Sequence, residues 1–271
     1  MIGSPLAYVG GKTRVARRLI ALFPPHRTYI ELFAGGCAVF FRKPASPVEV
    51  LNDLDGEVVN FLRCCQLHHQ ELIRYLSFTV ASRRLHTIYS RQDPETLTDI
   101  QRAARFLLLQ RTSFGGRVTG QNFHYSVTQK SNFNPSRLPE VLTEAARRLE
   151  RVQVEQRPYQ EVLDRFDRPT SFFFCDPPYI GRKWYRFNLA DEEFARLAER
   201  LSNLRGRFLL TINDCELSRK LFSRFYIGEL TFAYTCARSV PTVRELVITN
   251  YPLPVRGQQS AVLNGPQSGP P

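Results

Sequence analysis

Ser171-Phe172-Phe173-Phe174-Cys175-Asp176-Pro177-Pro178-Tyr179 is the stretch whose reading decides the fold. Its first five residues form a short apolar, aromatic run, which suits a strand buried on both faces of a parallel sheet. Pro177 and Pro178 end that strand, because neither supplies a backbone N–H and both fix φ. The chain is therefore stiff just where Asp176 and Tyr179 leave the sheet. Ligands of open α/β sheets bind outside the carboxyl ends of the strands. A carboxylate, a proline carbonyl and an aromatic ring thus meet where a ligand is expected.

The bulk numbers bound what surrounds this stretch. A chain of 271 residues, 43% of them hydrophobic, builds one large domain or a core carrying an inserted smaller one. Its 37 basic and 25 acidic residues give a formal net charge of +12, which favours a polyanionic partner such as nucleic acid. The cysteines (Cys37, Cys64, Cys65, Cys175, Cys215, Cys236) form no CxxC pair and no cysteine–histidine spacing of a zinc site. No metal site is expected, and the thiols read as mostly buried in a reducing compartment. No apolar run approaches the ~18 residues of a membrane span, and no signal-peptide core opens the chain. A cytoplasmic protein without a membrane partner is the expectation.

Upstream, Tyr8-Val9-Gly10-Gly11-Lys12 opens the chain's first recognisable turn. Gly11-Lys12-Thr13 tempts a phosphate-loop reading, but that motif requires glycine where Leu6 stands. A Gly-Gly-Lys turn still lets backbone approach a ligand and points one cation at it. Residues 14–22 have helical periodicity, and 28–32 read as a strand. Phe33-Ala34-Gly35-Gly36 follows, with Cys37 to Phe41 expected to open a helix; strand, glycine turn and helix make a nucleotide-binding corner. A second short strand, 48–51, leads to Asp53. An acid there is where α/β nucleotide binders hold ribose hydroxyls. Asp55 is its neighbour and competitor, and N-capping of the helix from Gly56 is the plainer use of either.

The pattern changes over 61–145, which reads as an inserted, mainly helical unit with one glycine-rich polar loop from Gln110 to Asn134. Residues 61–150 hold thirteen basic and seven acidic residues, half of the chain's net charge. Arg111, Arg117, Asn122 and Lys130 are candidates for contacts with phosphates and base edges. Residues 152–154 return to the sheet. After Tyr179, the cations Arg182, Lys183 and Arg186 alternate with Trp184, Tyr185 and Phe187, a pattern suited to gripping phosphates and stacking on an extruded base. An amphipathic helix at 191–204, a strand at 208–212, a short helix near 217–222 and two strands at 229–234 and 245–250, read as antiparallel, complete the pattern. From Tyr251 on, Pro, Gly, Gln and Ser predominate, and 253–271 is expected to be a disordered tail.

Asp176-Pro177-Pro178-Tyr179 is also the motif of DNA methyltransferases acting on exocyclic amino groups. Together with the Gly-Gly-Lys opening and the order of glycine turn, insert and Asp-Pro-Pro-Tyr, the chain resembles the Dam-like, alpha-class adenine-N6 DNA methyltransferases over about residues 5–250. The resemblance implies a Rossmann-like, S-adenosylmethionine-dependent fold, catalytic in 1–60 and 146–252, with target recognition in 61–145. It implies S-adenosylmethionine as cofactor, duplex DNA as partner, and a monomer that some relatives pair with a restriction endonuclease.

Carried over by residue, the resemblance assigns Tyr8, Gly10, Gly11 and Lys12 to the methyl-donor pocket. Glu31, Phe33, Ala34, Gly35 and Gly36 fall in the methionine-binding turn, Asp53 takes the ribose, and Tyr159 packs near the cofactor adenine. Asp176, Pro177 and Tyr179 take the target base. Arg182, Lys183, Trp184 and Tyr185 take DNA. The sequence departs from the family at Cys37, which stands at the last glycine of the turn, and at Pro158, where many relatives carry an acid. Methylation of the cytosine exocyclic amine is the nearest rival, and an inactive DNA-binding protein on the same scaffold is the rival from another class. Cytosine carbon-5 chemistry drops out for want of a Pro-Cys nucleophile.

Overall fold

The computed structural model describes residues 3–116, 118–128, 130–233 and 242–254. The decisive stretch forms β4 (Ser171–Cys175), buried at all five positions. It pairs in parallel with β1 (Thr28–Glu31), Phe173 opposite Ile30, and with β5 (Arg207–Asn213), Phe173 opposite Phe208. Beyond β1 lie β2 (Val48–Asn52) and the short β3 (Gln153–Glu155), both parallel. Beyond β5 come β7 (Thr242–Thr249) and then β6 (Tyr226–Ala233), β7 antiparallel to both neighbours, as the sequence pattern predicts. The sheet order β3-β2-β1-β4-β5-β7-β6 is that of a Rossmann-like α/β fold. Strand order reverses between β1 and β4, so their carboxyl ends border a crevice.

Period-two alternation sorts the side chains of β4 onto two cores. Phe172 and Phe174 join Tyr29, Leu51 and Leu209 on one face. Phe173 and Cys175 join Ile30, Phe208 and Leu210 on the other. Each buried ring contributes about 1.5–3 kcal/mol. The second face is covered by α7 (Tyr159–Phe166) and α8 (Asp191–Ser202), with Val162, Phe194 and Leu197 in its core. The short helix α9 (Glu216–Leu221) leads into Phe222, which belongs to the same core.

The first face carries α2 (Gly56–Leu67), α3 (His69–Ser77), α5 (Asp99–Thr112) and α6 (Leu138–Leu149). Phe61, Leu72, Phe106 and Leu142 from these helices share one cluster with Tyr29 and Phe172. The helices of the span 61–145 therefore pack on the sheet itself and share its core. Glu57 of α2 ties them further, accepting hydrogen bonds from Arg102 and, at 3.3 Å, from Arg105 of α5. The outlying helix α4 (Arg83–Arg91) buries His86, which bonds Thr112 Oγ1 at 2.8 Å.

Three local expectations are corrected. Residues 14–22 form a 3-10 turn at Lys12–Arg14 followed by α1 (Ala16–Ile20), shorter than the periodicity suggests. Cys37 to Phe41 is a run of turns: Cys37 has the left-handed φ of +51°, Phe41 donates to the Cys37 carbonyl at 3.1 Å, and the Phe40 amide donates to Glu31 Oε1 at 2.7 Å. Tyr251 is buried, and its hydroxyl donates to the Leu22 carbonyl at 3.0 Å, so the ordered chain outlasts the composition change. Residues 255–271, most of the expected tail, lie outside the described residues. Cys37, Cys64, Cys65 and Cys175 are buried thiols and Cys215 is partly exposed; Cys236 lies outside the described residues.

Candidate active site

The carboxyl ends of β1 and β4 converge on a buried lysine. Lys12, 3% exposed, donates through Nζ to Asp176 Oδ1 at 2.7 Å and Oδ2 at 2.9 Å. It also donates to the Tyr179 hydroxyl at 2.9 Å and to the Gly10 carbonyl at 3.1 Å. The Gly-Gly-Lys turn thus aims its cation at the Asp-Pro-Pro-Tyr segment across the crevice. Thr211 of β5 donates to Asp176 Oδ1 at 2.7 Å. Tyr179 donates its phenolic proton to Glu245 Oε1, and Glu245 Oε2 lies 3.7 Å from Lys12 Nζ. Asn213 at the end of β5 holds the segment leaving the site, accepting from the Ile180 amide at 3.0 Å.

Burial sets the titration of this cluster. It pushes the Tyr179 phenol well above its ordinary range, helped by the charges of Asp176 and Glu245, so the hydroxyl stays protonated and donates. Burial also raises the Glu245 carboxyl, opposed by the Lys12 charge. Thr211 and Glu245 are members that the sequence does not nominate. They arrive from strands 35 and 69 residues away, and an acid opening an apolar strand is the one local signal for Glu245.

Next to this cluster lies a cavity of about 320 Å³, within the roughly 300–1,000 Å³ typical of ligand sites. Tyr8, Gly10, Gly11 and Lys12 line it from the opening turn, and Glu31, Phe33, Ala34, Gly35 and Gly36 from the end of β1. Asp53, Tyr159 and Asp176 line it as well, so all the cofactor candidates reach one space. Tyr8 presses on the glycine turn: a Cβ on Gly36 would stand 2.6 Å from Tyr8 Cβ. Cys37 at the turn's end has φ +51°, in the left-handed region that favours glycine; this costs an L-residue roughly 1–2 kcal/mol. The cysteine keeps the backbone that a glycine would take, and its side chain is buried.

Asp53 organises the same turn. Oδ2 accepts from the Gly35 amide at 2.7 Å and Oδ1 from the Asp55 amide at 2.9 Å. Burial pushes its carboxyl up to about 6, with these bonds opposing the rise. Asp55 takes the N-cap of α2, accepting from the Glu57 amide. Glu31 is committed to the fold, accepting from the Tyr29 hydroxyl and the Phe40 amide, both at 2.7 Å, while burial raises it to about 7. Tyr159 is buried, its ring 5.7 Å from that of Phe33 and its hydroxyl turned to the Glu193 carbonyl. Phe33 is the more exposed of the two rings, and Pro158, also lining the cavity, is exposed.

The DNA candidates divide. Arg182 and Lys183 are exposed, the Arg182 guanidinium lying 5.3 Å from the Trp184 ring centre. Asn122 and Lys130 are exposed on the loop of the insert, while Arg117 lies outside the described residues. Tyr185 and Arg111 hold the chain in place. Tyr185 stacks on Tyr8 with ring centres 6.0 Å apart and donates to the Val9 carbonyl at 3.0 Å. Arg111 donates to the Pro5 carbonyl at 2.6 and 2.8 Å and to the Asn132 carbonyl at 3.2 Å. Arg186, a phosphate-gripping candidate by its place among the cations after Tyr179, instead pairs with Asp55 at 2.9 Å, and its segment lines the cavity through Arg186, Phe187 and Leu189. No helix among the described residues is long and apolar enough to cross a membrane.

Comparison with known proteins follows the same features. The model of the D12 class N6 adenine-specific DNA methyltransferases matches residues 8–235. The chain is 23% identical over 235 residues to the type II methyltransferase M.CviBI of Paramecium bursaria Chlorella virus NC1A, covering 83% of this chain and 88% of that protein. It is 27% identical over 180 residues to the DNA N-6-adenine-methyltransferase of Escherichia phage P1, covering 64% of this chain and 23% of that longer protein. The type II methyltransferase M.MjaIII of Methanocaldococcus jannaschii is 22% identical over 262 residues, with 82% and 87% covered. Since the family match runs from Tyr8 of the opening turn through the glycine turn, the insert and the Asp-Pro-Pro-Tyr segment, the chain belongs to the D12 class N6 adenine-specific DNA methyltransferase family.

Proposed function

We propose that this chain transfers the methyl group of S-adenosylmethionine to N6 of an adenine extruded from duplex DNA, with Asp176 and the Pro177 carbonyl receiving the amino group. The observation that supports this best is the seat of Asp176. It lies at the carboxyl end of β4, beside the strand-order reversal, lines the cavity, and is held there by Lys12 and Thr211. When bound, S-adenosylmethionine supplies an electrophilic methyl on a sulfonium.

Adenine N6 is a poor nucleophile, because its lone pair is delocalised into the ring. Acceptors directed at its two N–H bonds favour the tetrahedral geometry needed for attack, most strongly in a water-poor site. Asp176 Oδ1 already accepts from Lys12 and Thr211, whereas Oδ2, among the described residues, accepts from Lys12 alone. Oδ2 is therefore the oxygen with capacity for an N6–H. The lysine neutralises the carboxylate and makes it a fixed acceptor, which suits a reaction in which the amine becomes acidic only after methyl transfer. Holding the amine in line with the methyl supplies much of the remaining rate.

Asp53 would accept the ribose hydroxyls, and the Gly35-Gly36 turn would receive the methionine part. The cavity fits this use: its glycine turn leaves no room for a Cβ, and the Asp53 carboxylate is held in place by the Gly35 and Asp55 amides. Extruding the base costs about a few kcal/mol. Stacking on Tyr179 would recover roughly 1–3 kcal/mol of it. Arg182, Lys183 and Trp184, with Asn122 and Lys130 of the insert, would grip the DNA.

The test is Asp176→Ala, assayed for methyl transfer to unmethylated duplex DNA and for duplex binding by fluorescence anisotropy. Transfer is expected to fall below detection while the duplex Kd stays within about threefold. Retained turnover would remove Asp176 from the reaction.

A further inference from the structure

Glu245 lies outside the motifs that the family resemblance assigns, yet its carboxylate reaches the centre of the site. It sits on β7 opposite Asn213 of β5 and is 4% exposed. Its two oxygens have different tasks. Oε1 accepts the Tyr179 hydroxyl proton. Oε2 lies 3.7 Å from Lys12 Nζ and has no hydrogen bond among the described residues. Lys12 in turn donates to the same tyrosine oxygen at 2.9 Å. The direction of every proton is therefore set: ammonium to phenol oxygen, phenol to Glu245. A tyrosine bonded at both faces of its hydroxyl cannot rotate its ring about Cβ without breaking two bonds to charged groups in a buried site.

We infer that Glu245 is a positioning residue for methyl transfer, holding the Tyr179 ring and steadying Lys12 together with Asp176. This rests on the functional reading above. Asp176 touches the amine and Glu245 acts through its neighbours. The groups facing Glu245 are Lys12, Asp176 and Tyr179, and the structure places one ammonium between two carboxylates. An alanine at 245 removes the acceptor of the phenol proton and takes one of the two carboxylates away from Lys12, which keeps Asp176, the Tyr179 oxygen and the Gly10 carbonyl. A glutamine keeps an oxygen acceptor for the phenol while removing the charge.

The test uses the full chain, S-adenosylmethionine and unmethylated plasmid DNA, with kcat and the KM of the donor measured separately for six proteins. These are the wild type, Glu245→Ala, Glu245→Gln, Tyr179→Phe and the two double variants. Glu245→Ala is expected to lower kcat by about tenfold or more while the donor KM moves less than about twofold, as loss of a buried bond to a charged group implies. Glu245→Gln should recover most of that loss. In the Tyr179→Phe background, Glu245→Ala should cost less than about threefold more, because its acting partner is already gone. Equal loss in the alanine and glutamine variants, full multiplication of effects in the double variants, or an unchanged kcat in Glu245→Ala each overturns the assignment. An inactive wild type would instead overturn the functional reading, and this one with it.

Discussion

Replacing Lys12 by methionine keeps the length and apolar stem of the side chain and removes only its charge and donors. The structure lets the consequence be estimated. Lys12 is 3% exposed and reaches both oxygens of Asp176, the Tyr179 hydroxyl and the Gly10 carbonyl, with Glu245 3.7 Å away. Removing one partner of a buried pair costs about 3–5 kcal/mol, because a charge is left uncompensated. The Asp176 side chain keeps 19% of its exposure, which favours the lower end, about 3 kcal/mol. At about 2 °C per kcal/mol in a chain of this size, the melting temperature should fall by roughly 6 °C at pH 8.

The sign with pH follows from Glu245. Burial already raises its carboxyl, and Lys12 is the strongest opposing influence. Without Lys12 the folded-state value moves further above the unfolded one. A group raised in this way contributes stability at low pH that is lost as pH rises through the folded value. The deficit of Lys12→Met should therefore be largest at pH 8 and shrink towards pH 5. Melting curves by circular dichroism for wild type and variant at both pH values decide it. A deficit equal at pH 5 and pH 8, or no deficit at all, would refute the role of Lys12 as the counter-charge shared by the half-buried Asp176 and the buried Glu245.

Two further outcomes follow from the donor side of the site. Burial pushes the Asp53 carboxyl up to about 6, and ribose hydroxyls would donate to its charged form, so the affinity for S-adenosylmethionine should fall as pH drops through about 6. Calorimetric titration should show this in the wild type, and Asp53→Asn should bind more weakly at pH 8 with a flat profile. Cys37→Gly relieves roughly 1–2 kcal/mol of left-handed backbone cost. It also gives up a buried thiol and about 0.4–1 kcal/mol through the looser unfolded chain. The melting temperature should therefore stay within about 3 °C of wild type. Donor affinity should stay within about twofold; a tenfold gain would show that the cysteine impairs the turn.

Much of this architecture is legible in the chain because it rests on local patterns. A run of Phe172-Phe173-Phe174 closed by two prolines can be buried on both faces and can go no further, which is how β4 behaves. The glycine turn, Asp53 and the Gly-Gly-Lys opening are read from short spacings, and all reach the cavity. What was not legible is non-local. Thr211 and Glu245 look like ordinary strand residues until pairing across β4, β5 and β7 brings them to Asp176 and Tyr179. Arg111 and Tyr185 look like nucleic-acid contacts by residue type, yet carbonyls of the N-terminal segment occupy them. The insert reads as a unit by composition, but the packing of Phe61 and Phe106 against the sheet is invisible to periodicity, which reports only that each helix has an apolar side. Cys37 to Phe41 has helical spacing, but periodicity shows neither the left-handed φ of Cys37 nor the tie of the Phe40 amide to Glu31.

The most direct test of the central claim is tritiated methyl transfer from S-adenosylmethionine to unmethylated duplex DNA, followed by digestion and separation of the nucleosides. The account predicts that the label elutes with N6-methyladenine. Label in N4-methylcytosine, or no incorporation by a folded protein that still binds DNA, would contradict it.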